Sequence, residues 1–341
     1  MKYNLFGNTG LIVSELCFGT MTFGGEGIWK AIGSLPQEEA TKLVKGAIDG
    51  GINFFDTANV YSYGESEKLL GNAIKSLGIK RHEVVIATKL RGRMSEGHNN
   101  AGLSRYHIFQ SIDESLARLQ MDHVDILYVH GVDPLTPIEE TMHALNDIVA
   151  AGKVRYIAVC NWPAWMVMKA QGIAAQQGWH KFEGLQYFYS IAGRDVEREI
   201  IPMALDQHLA VMPWSPLAGG FMTGKYTREN EKGGGRRDNF DFPPVNKAKA
   251  YDIIDVMAGI SKAHNVSIAQ VALAWVRCQP GITSTIIGAK TIEQLNDNIN
   301  STEIIFTEED GKQLNDISAL PKEYPGWMVE RQTTDRQLNQ K

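Results

Sequence analysis

The sequence predicts an α/β protein of the (β/α)8 TIM barrel class, with an N-terminal β-hairpin and long loops at the carboxyl end of the barrel. Three observations predict it. Eight short apolar runs, 16–18, 52–55, 84–87, 124–129, 156–159, 185–187, 210–213 and 285–287, recur along the chain. Segments of helical periodicity lie between them, so strand and helix alternate without a break, as in a parallel sheet wrapped by helices. Polar or small residues follow almost every run, where such barrels carry their chemistry. A doubly wound open sheet is the alternative.

The elements follow in order. A hairpin turns at Gly7-Asn8-Thr9-Gly10, and helical patterns then cover 38–49, 67–77, 104–119, 137–150, 163–177, 199–208 and the pair 249–264 and 267–277. In 67–77 the side chains of Leu69, Leu70, Ala73, Ile74 and Leu77 form one stripe, as a helix packed on a sheet requires. Ser62 or Ser66 is the expected N-cap of that helix. After Thr291, the residues Ile292, Leu295 and Ile299 share one face of a further helix. A single barrel domain is expected over 1–320, followed by a tail over 321–341.

Composition narrows the function classes. The chain has 341 residues and a formal net charge of -5, which argues against a strongly basic nucleic-acid surface. No apolar run approaches the roughly 18 residues of a membrane span, and the first ten residues hold no signal-peptide pattern. A cytoplasmic protein without a membrane partner is expected, its subunit number left open. The three cysteines, Cys17, Cys160 and Cys278, are far apart in apolar company, so buried thiols are expected rather than disulfides or a metal site.

The residues after the eight runs are Gly19-Thr20-Met21, Asp56, Thr88-Lys89, His130, Asn161, Gln186, Trp214-Ser215 and Gly288-Ala289-Lys290. Each alone has a plain explanation as a cap, a loop charge or a loop hydrogen-bonder. Converging strand ends would gather them into one site. Asp56 and Lys89 end neighbouring strands and are placed to pair, and Tyr61, five residues on, can fold back over them. A tyrosine has an ordinary pKa near 10; a lysine cation beside it favours the phenolate, and the aspartate keeps that lysine charged. This makes Tyr61 a candidate general acid, with His130 able to donate an N–H to a substrate oxygen. Reduction of a carbonyl is a reaction such a group would serve.

Several spaced motifs then carry a resemblance: "GTMTFG" from Gly19, "NFFDTANVYSYGESE" from Asn53, "ATKL" from Ala87, "VDILYVHGVDP" from Val124, "CNW" from Cys160, "LQYFYS" from Leu185, "PWSPLAGGFMTGKY" from Pro213 and "IIGAKTIEQLNDNI" from Ile286. Over about 2–320 the chain resembles the aldo-keto reductases, (β/α)8 barrels that reduce carbonyls with a nicotinamide cofactor, and the potassium-channel β-subunits related to them. The resemblance implies that Tyr61 is the general acid, that Lys89 and Asp56 tune it, and that His130 orients a small-molecule aldehyde or ketone. It also leaves open the reverse reaction on sugar or cyclitol alcohols, and a redox-sensing subunit with little turnover.

No G-x-G-x-x-G follows a strand, so the Rossmann dinucleotide fingerprint is absent. "GGFMTGKY", with Gly219, Gly224 and Lys225, comes near the phosphate-loop pattern, but Tyr226 stands where a magnesium-binding Ser or Thr belongs. Its glycines still suit a loop whose backbone approaches a pyrophosphate, with Lys225 adding charge. By resemblance, Asn161 and Gln186 hold the nicotinamide carboxamide and Tyr187 or a neighbouring aromatic stacks on the ring. Gly19, Thr20, Met21, Asp56 and Trp214 complete that end. Ser215, Leu217 and Gly219 follow the pyrophosphate, and Gly288, Ala289, Lys290, Gln294, Asp297 and Asn298 the adenosine. Many NADPH-binding relatives carry an arginine where this chain has Gln294; Lys290 and one of Arg236 and Arg237 are the expected replacements. NADPH is therefore the expected cofactor, with NADH use open. The segment 216–246, long for a connection, is either a lid hinged at Gly233-Gly234-Gly235 or a disordered insertion. Phe23, Trp29, Trp162 and Trp327 are the expected aromatic walls of the substrate pocket.

Overall fold

The computed structural model describes residues 1–333. β1 (Tyr3–Leu5) and β2 (Ile12–Ser14) pair antiparallel with Tyr3 opposite Ser14, the hairpin the turn residues predict. Phe6, in that turn, is fully buried and meets Phe54 edge to face at 6.5 Å, plugging the amino end of the barrel.

Eight parallel strands make the barrel: β3 (Leu16–Gly19), β4 (Phe54–Asp56), β5 (Val85–Leu90), β6 (Val124–Val129), β7 (Val154–Cys160), β8 (Phe182–Phe188), β9 (Ala210–Trp214) and β10 (Thr285–Ile287). Each pairs with its successor from β3 to β9, and β10 pairs back onto β3. A parallel bridge between Val211 and Ile282 nearly closes the remaining gap. Around it run α1 (Gln37–Asp49), α2 (Glu65–Ser76), α3 (Arg105–Leu119), α4 (Ile138–Ala150), α5 (Ala164–Gln177), α6 (Ile200–Asp206), α7 (Lys247–His264), α8 (Ile268–Arg277) and α9 (Ile292–Asn300). Among the described residues, no helix is long and apolar enough to cross a membrane.

Strand periodicity of two decides what the barrel presents. Cys17, Phe54, Val85, Ala87, Ile126, Tyr128, Ala158, Cys160 and Met212 form one apolar cluster filling the interior. Their alternate neighbours, among them Phe18, Phe55, Ile86, Leu127, Val159 and Leu185, form the larger cluster under the helices. Residues that continue the inward series past the last apolar layer must open at the mouth.

Three features depart from the sequence reading. Neither Ser62 nor Ser66 caps α2; Gly64 does, at φ 91, preceded by Ser62 and Tyr63 at φ 47 and 54. Glycine suits position 64 because φ 91 strains any residue with a Cβ, and a Cβ there would also lie 2.6 Å from Arg118 Cδ. Cys278 is exposed, unlike Cys17 and Cys160: it follows the last turn of α8, past the buried stripe. A further helix of the barrel domain, α10 (Glu308–Ser318), packs on α7, and α11 (Gly326–Thr333) lies in the tail; 334–341 lie outside the described residues.

Candidate active site

Asp56 ends β4 and lies in register with Gly19 on one side and Ala87 on the other. Lys89, two residues past Ala87, shares its inward direction and is completely buried. Its ammonium donates to Asp56 Oδ1, donates to the Thr57 carbonyl at 2.8 Å, and lies 3.3 Å from Tyr61 Oη. Gln186 Nε2 donates to the second Asp56 oxygen at 2.8 Å, so the carboxylate is held from two sides. His130 follows β6, with its ring centroid 6.0 Å from that of Tyr61, and Trp29 covers Tyr61 edge to face at 5.3 Å. All four residues singled out for chemistry meet at the mouth.

The turn that carries Tyr61 is fastened on both flanks. Ser66 Oγ donates to the Thr20 carbonyl at 2.8 Å and stands 3.1 Å from Thr57 Oγ1. Glu67, fully buried, accepts from Thr88 Oγ1 at 2.5 Å and from Arg118 Nε at 2.6 Å. These bonds tie the first turn of α2 to the ends of β3, β4 and β5, and hence Tyr61 to Lys89.

Electrostatics assign protonation states. Burial works against the Lys89 ammonium, but Asp56, Tyr61 and Cys160 outweigh it, and its pKa is raised. Burial also raises Asp56, against the pull of Lys89 and Gln186. The Tyr61 phenol is raised by burial, with Lys89 pulling it back in part. The net direction is opposite to the sequence expectation, because dehydration of the enclosed phenolate exceeds the gain from the neighbouring cation. His130 is pushed down to about 3, first by burial and then by Lys89 and Arg91. The resting site is a phenol beside an ammonium, facing a neutral imidazole.

Across the mouth, the loops after β9 and β10 gather Lys225, Arg236 and Lys290. Burial lowers the Lys290 pKa, and the charges of Arg236 and Lys225 lower it further. No carboxylate of the described residues lies within ion-pair distance of these three cations, and Arg236 Nε is buried without a partner. Beside them Gly219, at φ 68, has no room for a Cβ, which would lie 2.5 Å from the Phe242 carbonyl and 2.8 Å from Arg236 Nη2. An uncompensated cation cluster beside a close-approach glycine fits a polyphosphate ligand.

The aldo/keto reductase family model matches residues 15–319. The chain belongs to the aldo/keto reductase family. It is accordingly an NAD(P)H-dependent oxidoreductase of a family that acts on small-molecule carbonyl compounds. It is 38% identical over 332 residues to an uncharacterized oxidoreductase, YrpG, of Bacillus subtilis (strain 168), covering 94% of this chain and 97% of the relative. It is 35% identical to the versiconal hemiacetal acetate reductase of Aspergillus parasiticus, covering 96% and 99% of the two chains. It is also 35% identical to a probable voltage-gated potassium channel subunit beta of Oryza sativa subsp. japonica, covering 89% and 92%.

The remaining predicted residues of this aldo/keto reductase divide into three groups. Asn161 and Ser215 stand at the ends of β7 and β9 in left-handed backbone, φ 59 and 53, the strained geometry that clusters at functional sites. Asn161 Oδ1 accepts from Trp214 Nε1 at 3.1 Å, and Ser215 Oγ accepts the Gly219 N–H at 2.9 Å. Met21, Leu217 and Lys290 are at least partly open, and Gly288 borders free space. A second group is buried or bonded to other parts of the fold, Gln294 among them on the exposed face. Thr20 is fully buried with its hydroxyl on Asp56 O and Ser66 Oγ; Ala289 is buried; Asn298 Nδ2 holds the Gly288 carbonyl at 3.1 Å; Gln294 Oε1 caps the Lys290 N–H at 2.9 Å. Asp297 receives Ser267 and Gln270 of α8, and Arg237 donates to the Ala218 and Pro243 carbonyls and pairs with Asp241. Arg237 is therefore a brace of the 216–246 segment, leaving Arg236 as the arginine beside the glycines.

The third group is displaced. Phe23 and Trp162 are buried in the outer apolar layer, against Phe18 and Phe182, and are not pocket walls. Tyr187 also points outward, its hydroxyl on the Trp162 carbonyl, because its strand partner Gln186 takes the inward direction. Trp327 sits on α11 against Tyr324. Of the predicted aromatics Trp29 stays at the mouth over Tyr61, and Trp214, stacked on Phe242 at 5.8 Å and 5.2 Å from Phe188, stands there too. Inward parity, two residues past Gln186, was the signal for Phe188.

Proposed function

We propose that the protein reduces an aldehyde or ketone to the alcohol with NADPH, with Tyr61 as general acid. The observation that carries this reading is the single ammonium shared between a buried carboxylate and the Tyr61 phenol, 3.3 Å from the phenol oxygen. A reduced nicotinamide bound against the Gln186, Trp214 and Gly288 side of the mouth supplies the two-electron reductant. His130 donates an N–H to the carbonyl oxygen and fixes it beside the phenol. Tyr61 gives its proton to that oxygen as negative charge develops there, and Lys89 stabilises the phenolate left behind. Asp56 holds Lys89 protonated and aimed. Trp29 and Trp214 wall the site against water.

Lys225, Arg236 and Lys290 support NADPH over NADH, since a 2'-phosphate adds negative charge where, among the described residues, these cations have no carboxylate partner. The names of relatives support both a reductase and a channel subunit, and the enclosed proton donor favours turnover. The test follows NADPH consumption with a panel of aldehydes, ketones and sugars, for the wild type and Tyr61→Phe. Steady oxidation that the substitution removes is the expected result. Tight NADPH binding with no turnover on any carbonyl would favour the regulatory reading, and full activity of Tyr61→Phe would overturn the proton donor.

A further inference from the structure

One cation at the mouth takes no part in this scheme. Arg91 follows β5, two residues past Lys89, and is exposed at the rim beside the loop after β6. Its backbone is held at φ 129, a conformation that a non-glycine residue rarely adopts and that the fold must sustain. The Gly102 N–H, donated to the Arg91 carbonyl at 2.9 Å, fixes it there. Its Nε donates to the Val132 carbonyl at 3.0 Å, which orients the guanidinium beside the loop that carries His130. Arg91 is near enough for its charge to act on His130. Among the described residues, no carboxylate is within ion-pair distance of it.

The neighbouring charges are otherwise engaged. Arg93 Nη1 donates to the Ser95 and Gly97 carbonyls and closes its own loop. Asp133 receives the N–H groups of Leu103 and Leu135 and the Thr136 hydroxyl. Lys89 is neutralised by Asp56. On the far side, the phosphates of the dinucleotide have their own cations in Lys225, Arg236 and Lys290. Arg91, beside the loop that carries His130, is left with two free Nη groups in a fixed fork, the shape that binds a carboxylate or phosphate bidentately.

We propose that Arg91 is a specificity-determining residue and that the carbonyl compound reduced here bears an anionic group, carboxylate or phosphate, remote from the carbonyl. This rests on the reductase reading. The test compares kcat/KM for 4-carboxybenzaldehyde and 4-formylphenyl phosphate with that for 4-methylbenzaldehyde, in the wild type, Arg91→Met and Arg91→Lys. A bidentate charged contact gives the wild type a preference on the order of 10- to 100-fold for one anionic aldehyde. Which aldehyde is preferred identifies carboxylate or phosphate. Arg91→Met is expected to reduce the preference to within about threefold, and Arg91→Lys to restore only part of it. An equal rate on neutral and anionic aldehydes in the wild type, or a preference that survives Arg91→Met, would overturn the assignment while leaving the reductase reading intact. If no aldehyde is reduced, the reductase reading fails, and calorimetric binding of 4-carboxybenzyl alcohol and 4-hydroxymethylphenyl phosphate against 4-methylbenzyl alcohol decides on Arg91. Tighter binding of an anionic alcohol that Arg91→Met abolishes supports the assignment; equal binding of all three overturns it.

Discussion

The two halves of the barrel mouth treat charge in opposite ways. On the β4–β6 side the ammonium of Lys89 is buried, paired with Asp56 and hydrogen-bonded to Thr57, so that its charge is spent within the fold. On the β9–β10 side Lys225, Arg236 and Lys290 come together without a carboxylate, one of them with a buried unpartnered Nε. The difference separates chemistry from binding. A charge that must act on a developing oxyanion is preorganised by fixed partners, whereas a charge that must hold a polyanion is left for the ligand to neutralise. Substitutions on the two sides should therefore fail differently.

The largest effect expected is on the chemical side. Tyr61→Phe removes the proposed proton donor and is expected to lower kcat by about 10² to 10⁴ while NADPH affinity, read by fluorescence titration, stays within about twofold. A loss of affinity equal to the loss of rate would merge the two halves. Lys89→Met tests the pairing itself, since it strands a buried carboxylate, with an expected stability loss of about 3–5 kcal/mol by urea unfolding. The raised Lys89 pKa fixes the sign with pH. A group whose folded pKa exceeds its unfolded value contributes stability that is complete below about pH 10.4 and fades as pH climbs through the folded value. The variant should therefore lose its deficit relative to wild type in strong alkali, and also in acid, where the stranded Asp56 takes up a proton.

On the other half, Arg236→Met and Lys290→Met are each expected to weaken NADPH about 10-fold, and NADH by less than about threefold, with kcat at saturation unchanged. Weakening that is the same for both cofactors would place the two cations on the pyrophosphate common to them and remove the argument for NADPH. Raising salt should narrow the NADPH advantage in the wild type, because exposed cations are screened and the buried Lys89–Asp56 pair is not.

The same contrast explains what the sequence disclosed. Asp56, Lys89, Gln186 and Trp214 were legible because they end apolar strands, and period two then sends each to the interior without knowledge of any contact. Phe188 follows that same rule one step further along β8, whereas Arg91 lies past the end of β5 at φ 129, where period two no longer holds. The serines of the Tyr61 turn were not legible as they stand. The turn instead runs left-handed through Ser62, Tyr63 and Gly64, and Arg118, 54 positions away in the chain, lies beside Gly64. Loop aromatics were also hard to place. Trp162 and Trp214 both follow inward strand ends, yet one turns under a helix and the other over the mouth. The α10 start carried a readable capping box at Thr307 and Asp310, outside the strand-helix count that framed the reading.

The smallest expected effect is a flat pH profile. An imidazole at its ordinary pKa near 6.5 would gain its proton between pH 8 and pH 5. His130, held down to about 3, stays neutral over that range, and Tyr61, raised by burial, stays protonated. Neither group changes state, so kcat for reduction should vary less than about twofold from pH 5 to 8. A sigmoidal step near pH 6.5 would mean that His130 is hydrated. Arg91 sharpens the point, because it also repels the imidazolium but ranks behind burial and Lys89. In Arg91→Met any acid limb should therefore move upward by less than about one unit. A larger movement would make charge, rather than dehydration, the force that keeps His130 neutral, and would tie orientation of the carbonyl to the same arginine that selects its substrate.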